Sequence, residues 1–170
     1  MSPLCKVAER YTKPMEEPKP TKQLPQNLKD LLKDIGENSV LFQIYTRIHS
    51  TEWQAFKNLA HSGCDIVLLN LKTNRTIKIE VKTRQSLYTT ATSKNTEGKR
   101  QFQVSRNEYE EMDLLICYWF DYNSYFIVPK SELNPNKMTI RLSVERDKNG
   151  SYGTNERYLD KWEHLTKLLE

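Results

Sequence analysis

An α/β fold with a mixed central β-sheet flanked by helices is predicted by three features of the sequence. Ile77, Ile79 and Val81 alternate with Lys78, Glu80 and Lys82, the period-two signature of a half-buried strand. Leu114 to Phe120 is a nearly continuous apolar run, as expected of a strand buried on both faces. Apolar stripes at helical spacing lie before the first strands and after the last. A chain of 170 residues is long enough for one domain with a substantial core.

Residues 1–24 form a Pro/Lys-rich tail, with four prolines before Lys22 and a composition that cannot build a core. A single domain is expected over 25–170. Pro25 to about Ile35 reads as a short helix with Leu28, Leu31, Leu32 and Ile35 on one stripe, and Gly36 then interrupts. A second helix is expected from Glu37 to Ile48, burying Val40, Leu41, Ile44 and Ile48. Glu37 shares that stripe. Thr51 to Leu59 reads as a strand whose buried face is ambiguous, with Trp53, Ala55 and Lys57 on one parity. The runs Ile66–Leu69 and Ile77–Lys82 flank a polar turn candidate, Lys72 to Arg75. A hairpin folded about Lys72 and Thr73 sets Asp65 opposite Glu80.

Further strands are expected at Gln101–Ser105, with Phe102 and Val104 inward, at Leu114–Phe120, at Ser124–Val128 and at Met138–Val144. Asn107 reads as the cap of a short helix over Glu108–Met112. Asp147 to Gly150 is a turn signal. A closing helix begins at Thr154 or Asn155, and its stripe (Tyr158, Leu159, Trp162, Leu165, Leu168, Leu169) serves either the sheet or self-association.

Composition sets outer limits. The net charge of +4 permits nucleic-acid binding without demanding it. No apolar run has the length of a membrane span, and no signal peptide opens the chain. Three scattered cysteines without a CxxC pattern argue for a reducing, cytoplasmic location and against a zinc site.

The chemistry concentrates between Gly63 and Gln85. Asp65, Glu80 and Lys82 converge on one strand pair if the hairpin forms as above. Two carboxylates with room for water and phosphate suit Mg²⁺, which seldom has an all-protein cage. The lysine would orient the attacking water or neutralise charge developing on a phosphate. Lys82 to Arg106 then holds six basic residues and one acid, Glu97. A positive loop beside a metal site matches the needs of a phosphate backbone. Arg84, Gln85, Lys94, Lys99, Arg100 and Arg106 are the candidate nucleic-acid contacts, with Tyr88 as a stacking or wedging side chain. The alternative is a solvated surface loop. His61, four residues before Asp65, reads as a second group near the site or as a solvated loop histidine.

Asp65, a spacer of fourteen residues, and Glu80-Val81-Lys82 resemble the PD-(D/E)xK nuclease superfamily of restriction enzymes, junction resolvases and some homing endonucleases. Cys64 stands where the superfamily usually has proline. The resemblance covers roughly Ile35 to Pro129. It implies a restriction-endonuclease-like core with helices on both faces of the sheet. It implies a Mg²⁺-dependent DNA endonuclease, with Mn²⁺ able to substitute, that leaves 3′ hydroxyl and 5′ phosphate ends. Asp65 and Glu80 would hold the metal and Lys82 would act on the water. Glu37 matches a glutamate that many members carry on the helix before the Asp strand; the competing reading is a first-turn acid, favoured by the helix dipole and partly solvated. Cutting both strands implies a homodimer or higher oligomer. Two other readings stand beside this one: a non-catalytic nucleic-acid-binding or assembly subunit, and a structural domain whose trio is an exposed ion-pair cluster.

Overall fold

The computed structural model describes residues 25–60, 63–85, 101–136, 139–142 and 156–170. The N-terminal tail, His61, Tyr88, Lys94, Lys99, Arg100, the turn at 147–150 and the expected start of the closing helix lie outside them. Among the described residues, no helix is long and apolar enough to cross a membrane.

The first element is one helix, α1 (Gln26–Ile48), and not the two expected from the glycine. Gly36 is tolerated mid-helix because a close approach requires it. A Cβ built there would overlap Thr83 Oγ1 and lie 2.8 Å from Thr83 Cβ. Burial begins at this point. Gly36, Glu37, Val40, Ile44 and Ile48 are buried, whereas Leu28 and Leu31 of the earlier stripe are exposed.

Strands β1 (Trp53–Lys57), β2 (Ile66–Asn70) and β3 (Thr76–Arg84) follow as an antiparallel meander. Trp53 and Ala55 are buried, which settles the inward parity of β1. The β2–β3 turn folds about Lys72 and Thr73 as expected. Asn70 Oδ1 accepts from the backbone N–H groups of both residues, at 2.9 and 3.0 Å. Asn74 takes the left-handed conformation at φ 57°, one that asparagine tolerates.

After β4 (Gln101–Gln103) and the short helix α2 (Arg106–Glu111) come β5 (Leu114–Trp119) and β6 (Ser124–Pro129). The central sheet has the order β1-β2-β3-β5-β6, with β3 and β5 parallel and the other neighbours antiparallel. Every residue of β5 is buried, as its apolar run requires.

The two faces of the sheet carry separate cores. On one, Val40, Ile44 and Ile48 of α1 pack with Ile77, Ile79, Val81 and Ile116. Leu165 of the closing helix, α3 (Glu163–Leu169), joins the same core. The other face, over β5 and β6, buries Leu115, Cys117, Phe126 and Val128 against Phe102, Met112 and Leu142. The strands expected at 101–105 and 138–144 therefore do not extend the central sheet. β4 and β7 (Thr139–Arg141) pair with each other in a two-stranded ribbon that covers this second face.

Two helix boundaries also differ from expectation. Ser105, not Asn107, caps α2, and Glu108 completes a capping box. The closing helix starts at Glu163, because Asp160 at φ 52° breaks the chain before it. Residues 158–160 instead extend the sheet beyond β6, where Ile127 N–H donates to Tyr158 O and Asp160 N–H to Tyr125 O. Tyr158 and Trp162 consequently fall into opposite cores, so the terminal stripe goes to the sheet.

Candidate active site

Asp65 ends the loop before β2 in a position set by the hairpin. Ile66 pairs with Ile79, and Asp65 N–H donates to Ile79 O at 3.1 Å. Continued by one residue, the pairing puts Asp65 across from Glu80, as expected from the sequence. Its Oδ2 accepts from the Val81 backbone N–H at 2.8 Å, which fixes the carboxylate against β3. Its Oδ1 faces Lys33 of α1 at 3.4 Å.

Glu80 is 4% exposed. Its Oε1 is 2.8 Å from Lys82 Nζ, while its Oε2 is buried without a hydrogen-bond partner among the described residues. Burial pushes its carboxyl up to about 7; Lys82 opposes this, and the nearby charges of Asp65 and Glu108 add to it. Lys82 Nζ also donates to Glu108 Oε1 at 2.8 Å. Burial would lower the lysine, but its two carboxylate partners raise it above the ordinary value.

Glu37 is 5% exposed and sits mid-helix, so it is not a solvated first-turn acid. It pairs with Lys33 at 3.3 Å and with Lys57 of β1 at 2.9 Å. Gly36 brings it here, since the close contact with Thr83 seats α1 against β3.

All of these groups line one cavity of about 730 Å³, open between α1, the end of β2, β3 and α2. Arg84 and Gln85 also line it. The Arg84 guanidinium lies 5.7 Å from the Phe102 ring centre. Arg106 points instead to Glu110, 3.0 Å away, and is not part of the cavity wall. Sequence reasoning passed over Lys33, Lys57 and Glu108. Two of them left a trace: Lys57 shares the inward parity of Trp53 and Ala55, and Ser105-x-x-Glu108 is a capping-box pattern.

The donor set can be weighed against a divalent cation. Asp65 and Glu80 offer hard oxygens, and Glu80 Oε2 is buried with no hydrogen-bond partner among the described residues. Among the described residues, no three His, Cys, Asp or Glu side chains gather closely enough to hold a metal by themselves. Two carboxylates still fit Mg²⁺, which takes its remaining ligands from water and substrate phosphate.

The chain aligns with the solved structure of a bacterial homing endonuclease, I-Ssp6803I, at a TM-score of 0.57. The two folds are similar. Identity is 17%, and the match covers 82% of this chain and 93% of the other. No protein-family model matches the sequence, and no curated protein does.

Proposed function

We propose that this chain is a Mg²⁺-dependent DNA endonuclease with a PD-(D/E)xK-type site. One observation supports it above the others: Asp65, Glu80 and Lys82 share one cavity, with Glu80 buried and one of its oxygens unpartnered. An exposed structural ion-pair cluster would not carry a carboxylate buried to this degree.

Asp65 and Glu80 would hold the metal, and Glu37 would border it through water. A divalent cation there would lower the pKa of a bound water and stabilise charge growing on the phosphate. Lys82 presents its ammonium beside Glu80, where it orients the attacking water and stabilises negative charge on the phosphate oxygens. The Asp65–Val81 hydrogen bond keeps one ligand from swinging away from β3. Water adds to phosphorus, the bond to the 3′ oxygen breaks, and the products carry a 3′ hydroxyl and a 5′ phosphate. Arg84 and Gln85, at the cavity wall, serve as contacts to the DNA backbone.

The test is cleavage of supercoiled plasmid, linear duplex and a four-way junction, each with Mg²⁺ and with EDTA. Cutting is expected with Mg²⁺ only. Glu80→Ala abolishes it and Lys82→Ala slows it by about 100-fold or more. Tight DNA binding with no cutting of any substrate would assign the chain to the binding or assembly role instead.

A further inference from the structure

Lys82 is a flexible side chain with three N–H donors, and a lysine acting on one phosphate must have its ammonium aimed. Two of the donors are committed, to Glu80 Oε1 and to Glu108 Oε1, each at 2.8 Å. Among the described residues the third meets no acceptor, and Lys82 lines the cavity.

Glu108 is itself locked. Its Oε2 accepts from the Ser105 backbone N–H at 2.7 Å, while Ser105 Oγ accepts from the Glu108 backbone N–H at 3.2 Å. The capping box of α2 therefore holds one oxygen of this carboxylate, and the other is free to grip Lys82. The helix is anchored through Tyr109 and Met112 to the core under β5. The parallel pairing of β3 with β5 sets Lys82 beside Cys117 in that same layer.

We propose that Glu108 is a positioning residue for Lys82: its capping-box carboxylate clamps the ammonium together with Glu80 and leaves the third N–H for the cavity. The inference rests on the nuclease reading for its consequence, but the clamp itself can be measured without it. Glutamine also completes a capping box. Glu108→Gln therefore keeps the acceptor for Ser105 and turns a neutral NH₂ donor toward the lysine. The cap survives and the grip is lost.

The experiment compares wild type, Glu108→Gln and Glu108→Asp. Acetylation of Lys82 is followed by mass spectrometry in the absence of metal and DNA, with exposed Lys167 as the internal reference. Single-turnover cleavage and DNA affinity are measured alongside. In Glu108→Gln, Lys82 is expected to label about 10-fold faster, and cleavage to slow by about 10- to 100-fold without weaker DNA binding, the worth of one charge-assisted hydrogen bond. Glu108→Asp, with the charge on a shorter arm, falls between, and it carries the comparison should Glu108→Gln not fold. Unchanged Lys82 labelling, or a cleavage rate equal to wild type, overturns the proposal and leaves Glu108 as a helix cap. Faster labelling in a protein whose wild type cuts nothing keeps the clamp and removes the nuclease reading.

Discussion

Glu80 is the residue at which folding and the proposed chemistry pull in opposite directions. Burial keeps its carboxyl protonated up to about pH 7, against an ordinary value of 4.5. Between those values the native state binds more protons than the unfolded one. Stability therefore falls as pH rises through this window and stays lower above it, by at most about 3 kcal/mol. Glu80→Gln removes the ionisation. Thermal melts should show the variant several degrees more stable than wild type at pH 8 and equal to it at pH 4. Added Mg²⁺ should raise the wild-type midpoint at pH 8 and leave the variant unmoved, because only a ligand bound by the native state stabilises it. Lys33 supplies the other test at this scale. It lies between Glu37 and Asp65 and competes with any cation for them. The lysine is largely exposed, so its pairs are weak. Titration calorimetry on Lys33→Met should show divalent affinity tighter by roughly 2- to 5-fold. Asp65, Glu80 and Lys82 were legible in the sequence because a period of two and a short turn dictate where they point. The Lys33–Asp65 and Glu108–Lys82 pairs were not, since each joins residues more than twenty-five positions apart and only the assembled fold brings them near.

Among the elements, α1 shows where local reading fails. Glycine normally weakens a helix by about 1 kcal/mol relative to alanine, which is why two helices were expected. The strand behind it reverses that preference. Gly36→Ala should gain helix propensity yet destabilise the protein by about 1–3 kcal/mol, since the new Cβ would overlap Thr83 Oγ1 and lie 2.8 Å from the Cβ of that β-branched residue, forcing it or the helix to shift. Urea unfolding measures the change, and Gly36→Ala with Thr83→Gly should recover part of it. Equal or greater stability in the single variant would show that the close approach is unimportant. The strands were read more accurately than the helices. Alternation and the unbroken β5 run report burial directly, whereas helix ends depend on caps such as Ser105 and on left-handed residues such as Asp160.

At the scale of the whole molecule, the mixed α/β fold was legible, but the partition of its strands was not. A strand pattern says that a segment is half-buried and leaves open which sheet it joins. The second face of β5 and β6 needed an apolar cover, and β4 and β7 form that cover as a separate ribbon. The proposed site is a single cavity, and under that proposal a duplex would still have two strands to cut. A monomer acting alone should nick supercoiled plasmid, and double-strand breaks should appear with a second-order dependence on protein concentration if two copies act together. Linear product formed in strict proportion to protein at the lowest concentrations would exclude that arrangement.

The tight seat of α1 on β3 has an effect on how this protein tolerates change. A gap set by interlocking side chains widens or narrows whenever one of them is exchanged. Here the spacing rests at one position on the Gly36 main chain meeting the Thr83 side chain, with a hydrogen atom where other residues carry carbon. Neighbouring apolar positions such as Val40 and Ile44 can therefore drift among similar shapes while the jaw they support keeps its width.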